Sequence, residues 1–215
     1  MKKITIEFFH DVICSYCFPM SYKMRKLAKE NPDIEIIHRS FALLSSIEDF
    51  KLMFGSREAA KGEIIPHWEH ANQVDELHRF NIEGMQKQDF PFPISMPALY
   101  AAKSAGILGG QLAYWDVFDN LQHAFFVESK NVEENEVIYE CVKKAGLNFD
   151  EWKNLYDSDQ VKGDVEEDFK FVHKYGIDVV PTLVMNGKYK ISGAQPYDDL
   201  LKAINKLTDE AKSKN

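Results

Sequence analysis

The stretch that best indicates the fold is Ile4-Thr5-Ile6-Glu7-Phe8-Phe9, an apolar run followed a few residues later by Cys14-Ser15-Tyr16-Cys17. The run predicts a short strand, and the residues from Ser15 to Lys29 predict a helix. A strand-to-helix turn places Cys14 at a helix N-terminus, where free backbone N–H groups and the helix dipole stabilise a thiolate. Cys17 follows one helical turn later, close enough to form a small disulfide with Cys14. The motif therefore predicts dithiol–disulfide chemistry, with Cys14 as nucleophile and Cys17 as resolving thiol.

Composition and charge exclude several classes of partner. The chain has 215 residues and a formal net charge of −8, and its 26 Lys and Arg residues are scattered rather than clustered. An acidic balance without a basic patch argues against general binding of nucleic acid or of an anionic membrane surface. No apolar run approaches the length of a membrane span. We therefore expect neither nucleic acid nor membrane as a partner.

The cysteine count indicates the compartment. Three cysteines, Cys14, Cys17 and Cys141, are too few for a small secreted domain held together by disulfides. The start Met1-Lys2-Lys3 resembles a signal peptide, but the apolar stretch that follows is interrupted as early as Glu7. The sequence predicts a cytoplasmic protein, in which a Cys-x-x-Cys motif is more often catalytic or metal-binding than structural.

Hydrophobic periodicity divides the chain into two parts. Residues 34–38 form a second β-branched run after the turn 31–33, which predicts a βαβ unit with the Cys-x-x-Cys at its first β-to-α turn. From about residue 43 to 156 strand signals are scarce and helical spacing dominates. The prediction is a discontinuous domain over 1–42 and 160–212, interrupted by a helical insertion over 43–159.

The C-terminal part predicts a helix and then a hairpin. Residues 161–175 have helical spacing and end at Gly176, which is typical of a helix C-cap. Asn186-Gly187 is a strong two-residue turn signal between two apolar runs. Pro181 stands at the start of the first of these runs, where a proline is tolerated. An ordinary trans bond and a cis bond are both open there, and the hairpin that follows favours cis.

The order of these parts resembles the DsbA-like thioredoxin proteins, in particular the FrnE-like branch of intracellular dithiol–disulfide oxidoreductases and isomerases. The resemblance rests on the Cys-x-x-Cys after the first strand, on the helical insertion, on Val180-Pro181-Thr182 and on Ser192-Gly193-Ala194-Gln195. It implies an α/β thioredoxin-like fold, a central mixed sheet flanked by helices with a large all-helical insertion.

The same resemblance implies roles for individual residues. Cys14 is the implied nucleophile, Cys17 the resolving cysteine and Pro181 a cis-proline facing them. Substrate would bind at Ser15, Tyr16, Val180 and Pro181. No metal or organic cofactor is implied, although glutathione is a candidate redox partner. The Ser-Tyr dipeptide departs from the Pro-Trp or Pro-His of many relatives, so the redox potential and direction stay open, as do the substrate and the choice between monomer and dimer.

Three alternatives to disulfide exchange need consideration. The kappa-class glutathione transferases and hydroxychromene-carboxylate isomerases have a similar layout, but their nucleophile position usually holds serine and they lack the second cysteine. A non-catalytic binding protein with a vestigial motif is the second alternative. A zinc site is the third, but it needs two more ligands, and the chain has no second Cys-x-x-Cys.

Other polar residues have both a functional and a structural interpretation. His10 or Asp11 could move a proton to or from the cysteines, and Glu7 could act as a buried base or face solvent. Cys141 has apolar neighbours and is predicted to be a buried small side chain. A solvated helix face is favoured over a metal site for a group of four residues, His67, Trp68, His70 and His78.

Overall fold

A four-stranded mixed sheet forms the centre of the part of the chain described by the computed structural model, residues 4–212. The strands are β1 (Ile4–His10), β2 (Ile34–Ser40), β3 (Thr182–Met185) and β4 (Tyr189–Ser192). Their order in the sheet is β2-β1-β3-β4; β1 and β2 are parallel, and β3 is antiparallel to both β1 and β4. Strand β1 lies inside the sheet, and all of its residues but Thr5 are buried.

Nine helices surround this sheet within the described residues. They are α1 (Cys17–Glu30), α2 (Ile47–Phe54), α3 (Arg57–Val74), α4 (Ile82–Gln86), α5 (Met96–Phe126), α6 (Asn135–Lys144), α7 (Phe149–Tyr156), α8 (Asp159–Tyr175) and α9 (Tyr197–Lys212). Helices α2 to α7 all lie between β2 and α8 in the chain, so the predicted thioredoxin-like fold with a helical insertion is confirmed. The boundaries 1–42, 43–159 and 160–212 remain a prediction.

Local chemistry accounts for the ends of several elements. Helix α1 begins at Cys17, two residues later than predicted, after a turn through Tyr16. Pro19 is tolerated there because the first-turn N–H groups of a helix have no intrahelical partner. Gly176 ends α8 in the left-handed conformation, as predicted. The predicted hairpin turn is present, with Asn186 and Gly187 both at positive φ.

Helix α5 is broken at Gly110, whose φ of 78° and ψ of −171° are not helical. The break divides α5 into two helical halves, residues 96–109 and 111–126. It also directs the side chain of Gln111 to the edge of the sheet, where its Oε1 accepts a hydrogen bond of 2.8 Å from the backbone N–H of His38. This bond occupies one backbone donor on the free edge of β2, a position where another strand could otherwise pair.

One continuous apolar core joins the sheet to the helical segment. On one sheet face Phe8 packs with side chains from α1 and α5. Phe18, the residue after Cys17, stacks on Phe126 at a centroid distance of 5.2 Å and meets the edge of Phe80 at 5.4 Å. The start of α1 therefore rests on aromatic side chains of the insertion. Those that are buried include Trp68, Phe80, Phe92, Trp115, Phe118, Phe125 and Phe126.

The opposite sheet face contains a buried ion network. Asp168 of α8 is 1% exposed and forms ion pairs with Arg39 of β2 and Lys103 of α5. It also accepts a hydrogen bond of 2.9 Å from the backbone N–H of Ser40. Glu7 pairs with the same Arg39 at 2.8 Å and accepts a hydrogen bond from Tyr175. Glu7 is thus neither solvent-facing nor free to act as a base.

None of the helices within residues 4–212 is long and apolar enough to cross a membrane.

Asp168→Asn tests how far the fold depends on this network. The substitution leaves Arg39 and Lys103 with less negative charge in a poorly hydrated site, and breaking a buried pair in this way costs about 3 kcal/mol or more. We expect a loss of this size in the free energy of unfolding, measured in urea. Glu167→Gln, one residue earlier on the exposed side of α8, is the control and should change it little because its partner Lys170 is a surface lysine. Equal effects of the two substitutions would contradict the assigned role.

Candidate active site

The redox pair lies at the junction of β1 and α1. Cys14 and Cys17 are joined as a disulfide, with their Cα atoms 5.2 Å apart. Cys14 precedes the helix and Cys17 is its first residue, so the backbone N–H of Cys17 points back at the Cys14 sulfur over 3.2 Å. A hydrogen bond from a helix N-terminus stabilises a thiolate at Cys14 in the reduced state. Both cysteines are buried, Cys14 at 4% exposed and Cys17 at 0%, so Cys14 is only slightly the more accessible of the two.

The cis-proline segment lies opposite Cys14. The peptide bond between Val180 and Pro181 is cis, and the carbonyl oxygen of Val180 lies 3.5 Å from the Cys14 sulfur. The carbonyl of Pro181 accepts a hydrogen bond of 2.8 Å from Gly193 N–H, which anchors the segment to the end of β4. Val179 is exposed and Val180 half-buried. The backbone of this segment thus lies beside the Cys14 sulfur.

Of the other predicted substrate-binding residues, Ser15 and Tyr16 are half-buried and form the loop between the two cysteines. Their position beside both sulfurs follows directly from the sequence. Val180 reaches the Cys14 sulfur from a part of the chain 166 residues away, and Pro181 beside it is buried. Their contact with substrate remains a prediction.

Asp11 holds the loop that carries Cys14. Its carboxylate accepts hydrogen bonds from the N–H of Ile13 at 3.2 Å, from the N–H of Leu43 at 2.7 Å and from the hydroxyl of Ser95 at 2.6 Å. The three donors belong to the redox loop, the segment after β2 and the start of α5. Burial raises the pKa of Asp11 to about 6, although these hydrogen bonds act in the opposite direction. Asp11 is therefore a buried acid that gains or loses its proton at about pH 6.

His10 has a structural role. It is fully buried, and its Nε2 lies 2.9 Å from Nδ1 of the equally buried His38. Tyr114 of α5 stacks on the His38 ring at a centroid distance of 4.8 Å. Burial holds the pKa of both histidines well below the ordinary value of 6.5. The pair is neutral at physiological pH, so the structural interpretation of His10 is favoured over proton transfer.

Gln122 is a site residue that the sequence interpretation missed. It lies on the buried face of α5, and its side-chain N–H₂ donates to the carbonyls of Val12 at 3.2 Å and Asp11 at 3.5 Å. The signal that could have identified it is an amide between Leu121 and Phe125 on an otherwise apolar helix face. An amide at such a position needs buried hydrogen-bond partners, and the redox loop supplies them.

The remaining candidates lie outside the site. His67 and His70 are exposed on α3 and flank the buried Trp68, and residues 4–212 hold no group of three His, Cys, Asp or Glu side chains that could ligate a metal. Cys141 is buried on α6 with its sulfur 3.5 Å from the carbonyl oxygen of Asn120. Burial raises the pKa of Cys141 to about 12, so this thiol is a poor nucleophile.

Protonation of Asp11 should stabilise the folded protein. Its folded-state pKa of about 6 exceeds the ordinary 3.8, so the folded protein holds this proton more tightly than the unfolded chain. As pH rises from about 4 to about 6, ionisation of Asp11 therefore lowers the free energy of unfolding by on the order of 3 kcal/mol. Between pH 6 and pH 4 the free energy of unfolding of the wild type, measured in urea, should therefore rise by about 3 kcal/mol more than that of Asp11→Asn.

Asp49→Asn is the matched control for this measurement. Hydrogen bonds from Ser45 and Ser46 hold the pKa of Asp49 below its ordinary value. Its contribution to stability is present above the ordinary pKa and disappears as pH falls, so this variant should change the slope in the opposite sense. A wild-type slope that Asp11→Asn leaves unchanged would show that Asp11 titrates normally.

Comparison with known proteins agrees with this geometry. A proposed protein disulfide isomerase from Nitrosomonas europaea has a structure similar to this chain, with a TM-score of 0.79, 18% identity and coverage of 97% of this chain and 98% of that one. The cytosolic disulfide reductase DsbM from Pseudomonas aeruginosa, also solved with glutathione (GSH), has a TM-score of 0.74 at 16% identity and covers 94% of this chain and 99% of its own. Similarity to solved structures at identities of 16% and 18% shows a shared fold and nothing more.

Sequence comparison extends over the same region. The chain is 25% identical over 205 residues to the ClpXP adapter protein SpxH of Bacillus subtilis, which covers 92% of this chain. It spans 65% of the length of the curated relatives that it matches. Residues 5–205 match the DSBA-like thioredoxin domain. With its Cys14–Cys17 pair at the β1–α1 turn and a helical insertion within the sheet topology, the chain belongs to the DsbA-like thioredoxin family.

Proposed function

We propose that the chain is a dithiol–disulfide oxidoreductase of the FrnE-like branch that acts on thiol and disulfide substrates in the cytoplasm. The observation that carries the proposal is the placement of Cys14, whose sulfur receives the N–H of Cys17 on one side and faces the Val180 carbonyl on the other. Membership of the family and the cytosolic relative DsbM support it.

The proposed reaction needs only the two cysteines. The Cys14 thiolate attacks a sulfur of the substrate disulfide; a mixed disulfide forms and the first substrate thiolate leaves. The Cys17 thiolate then attacks the Cys14 sulfur of the mixed disulfide and releases the second substrate thiolate. The substrate is reduced by two electrons and the enzyme dithiol becomes the Cys14–Cys17 disulfide. The reverse sequence oxidises a substrate dithiol.

Substrate recognition is proposed at Ser15, Tyr16, Val180 and Pro181, the residues that surround the Cys14 sulfur. The exposed Val179 and half-buried Val180 offer backbone groups to an extended peptide or a small thiol compound. No metal or organic cofactor takes part in the proposed reaction. Glutathione is the proposed redox partner, supported by the structure of DsbM with GSH.

A glutathione-dependent transferase or isomerase is a weaker candidate. In that reaction only the residue at the helix N-terminus would act, and the second cysteine would have no role. Here Cys17 is positioned to form a bond with Cys14 and does so. The presence of both sulfurs in one bonded pair therefore favours exchange.

An adapter role is the second candidate function, because the relative from Bacillus subtilis is named an adapter. Helix α2 offers a protein-binding surface, since Leu52 is 87% exposed and Met53 58% exposed. A purely binding protein would not need a reactive thiol, so it predicts a Cys14 pKa near the ordinary value of about 8.5. The state of the Cys14 thiol therefore distinguishes the two functions.

Cys17→Ser tests the proposal directly. In this variant Cys14 is a free thiol, and we expect its pKa to lie well below about 8.5, measured from the pH dependence of its alkylation rate. Turnover with a peptide disulfide should fall by at least about a hundredfold, because the mixed disulfide has no internal thiol to resolve it. A transferase would lose little activity. Cys141→Ser is the control and should alter neither quantity.

The reduction potential of the pair determines the direction of the reaction. Equilibration of the wild type in glutathione buffers, read by mass spectrometry, gives this potential. A value well above about −270 mV, that of thioredoxin, indicates an oxidase or isomerase, and a value near or below it indicates a reductase. Failure to form the disulfide at any buffer ratio would refute the dithiol mechanism.

A further inference from the structure

Gln122 reaches the loop that carries Cys14 from the helical insertion. Its side chain is buried on α5, and its Nε2 donates to the carbonyl of Val12 at 3.2 Å and, over a longer contact of 3.5 Å, to the carbonyl of Asp11. The Asp11 carbonyl also accepts the backbone N–H of Cys14 at 3.2 Å. The amide of Gln122 and the N–H of the proposed nucleophile therefore share one carbonyl oxygen.

The turn over residues 11–14 depends on this amide for one of its carbonyl groups. All four residues of the turn are buried. Within residues 4–210 the Val12 carbonyl accepts no hydrogen bond other than the one from Gln122. Buried backbone carbonyls are nearly always paired, because an unpaired one loses its hydration without compensation. Removal of the Gln122 amide would therefore leave a bare carbonyl oxygen in the turn just before Cys14.

The side-chain oxygen of Gln122 makes no such contribution to the fold. Its Oε1 is buried and finds no hydrogen-bond partner among residues 4–210. A buried acceptor without a donor destabilises the folded state. Methionine, an unbranched apolar side chain of similar length, would avoid this loss and fill much of the same space. The stability of the fold alone therefore does not explain a glutamine at this position.

Asn120, two residues earlier on α5, makes the same kind of bond to a different place. Its side-chain Nδ2 donates to the backbone carbonyl of Cys141 at 3.0 Å, which joins α5 to α6. Both side chains are amides on one helix, and each donates to a backbone carbonyl. Only the bonds of Gln122 end in the redox loop, so Asn120 is a matched reference for the role of Gln122.

The Gln122 amide also changes the electrostatic surroundings of Cys14. The carbonyl oxygens of Asp11 and Val12 carry partial negative charge and belong to the turn that ends at Cys14. The N–H₂ group of Gln122 offsets this charge, and dipoles in a dry site are weakly screened. The amide therefore acts in the same direction as the N–H of Cys17, which lies 3.2 Å from the Cys14 sulfur and favours a thiolate.

We propose that Gln122 is a positioning residue for disulfide exchange, which holds the turn before Cys14 from the helical insertion and makes the Cys14 sulfur more reactive with little net gain in the stability of the fold. The inference rests on the proposed exchange reaction and deepens it. An apolar residue in place of Gln122 should leave the fold about as stable and slow the chemistry. The insertion thus acts on the reaction through one side chain, in addition to its packing against the site.

Gln122→Met in the Cys17→Ser background tests the inference. Alkylation of Cys14 by iodoacetamide is followed by mass spectrometry across pH. Loss of the amide should raise the pKa of Cys14, so that the thiolate fraction at a pH below the midpoint falls about fivefold, as loss of one hydrogen bond would cause. The plateau rate at high pH should not fall, because Cys14 is fully ionised there and a more basic thiolate is the better nucleophile.

Asn120→Leu in the same background is the matched control, and its alkylation profile should stay within about twofold of the parent at every pH. Unfolding in urea completes the comparison. Gln122→Met should change the unfolding equilibrium constant by no more than about fivefold, since one unpaired acceptor is exchanged for another. An unchanged pH profile, equal slowing at all pH values, or a variant that no longer folds would each overturn the inference, because Gln122 would then serve access or the fold.

The wild-type protein gives an independent measurement that needs no substitution at Gln122. The side-chain amide resonances of Gln122 and Asn120 are compared by ¹H–¹⁵N NMR in the disulfide form and in the reduced form. Because the Gln122 amide shares a carbonyl with the Cys14 N–H, its resonances should shift more on reduction than those of Asn120. Equal shifts of the two amides would contradict the proposed coupling.

Exchange by the protein with both cysteines separates this inference from the proposed function. At a pH below the midpoint of the alkylation profile, Gln122→Met should reduce a peptide disulfide about two- to threefold more slowly than the wild type in a single turnover. If the wild type reduces no disulfide, the proposed function fails, and the alkylation profiles still decide the role of Gln122. If the wild type exchanges normally and Gln122→Met matches it in both exchange and alkylation, this inference alone fails.

Discussion

The hydrogen bonds of the buried Asp11 carboxylate are the constraint on which the site depends. Three donors from separate parts of the chain, the N–H groups of Ile13 and Leu43 and the hydroxyl of Ser95, converge on this one group. Each bond to this charged group contributes about 1.5–3 kcal/mol in net terms, and leaving a buried donor unpaired is costly as well. The redox loop, the chain after β2 and the start of α5 are therefore fixed relative to one another, and with them the position of the Cys14 sulfur.

The helical insertion is part of the active-site support as well as an addition to the sheet. Phe18 follows Cys17 directly and stacks on Phe126, and Gln122 binds the carbonyls of the redox loop. Both partners belong to the second half of α5. Because protein interiors are closely packed, a shift of this half-helix would be felt at the cysteines. The apolar core that stabilises the insertion thus also supports the Cys14–Cys17 disulfide.

The surroundings of Cys14 act on its sulfur in opposite directions. The N–H of Cys17, 3.2 Å away, and the N-terminus of α1 stabilise a thiolate. The Val180 carbonyl oxygen, 3.5 Å away, carries a partial negative charge and disfavours it. The N–H contact is the shorter one and is reinforced by the helix, in agreement with the thiolate proposed at Cys14. A nucleophile of this kind, as proposed for Cys14, suits exchange with disulfides.

Local patterns in the sequence were enough to predict the Cys14–Cys17 pair and the strands, helix and turn around it. A Cys-x-x-Cys between a strand and a helix, a second β-branched run and an Asn-Gly hairpin are local patterns, and local patterns follow from backbone geometry. The contacts between buried polar groups, by contrast, are seen only in the folded protein. Asp11 with Ser95, Glu7 with Arg39, and Lys23 with Gln195 are brought together by packing of segments distant in sequence. The spacing of residues along the chain does not predict such contacts, because they depend on how whole helices and strands pack against each other.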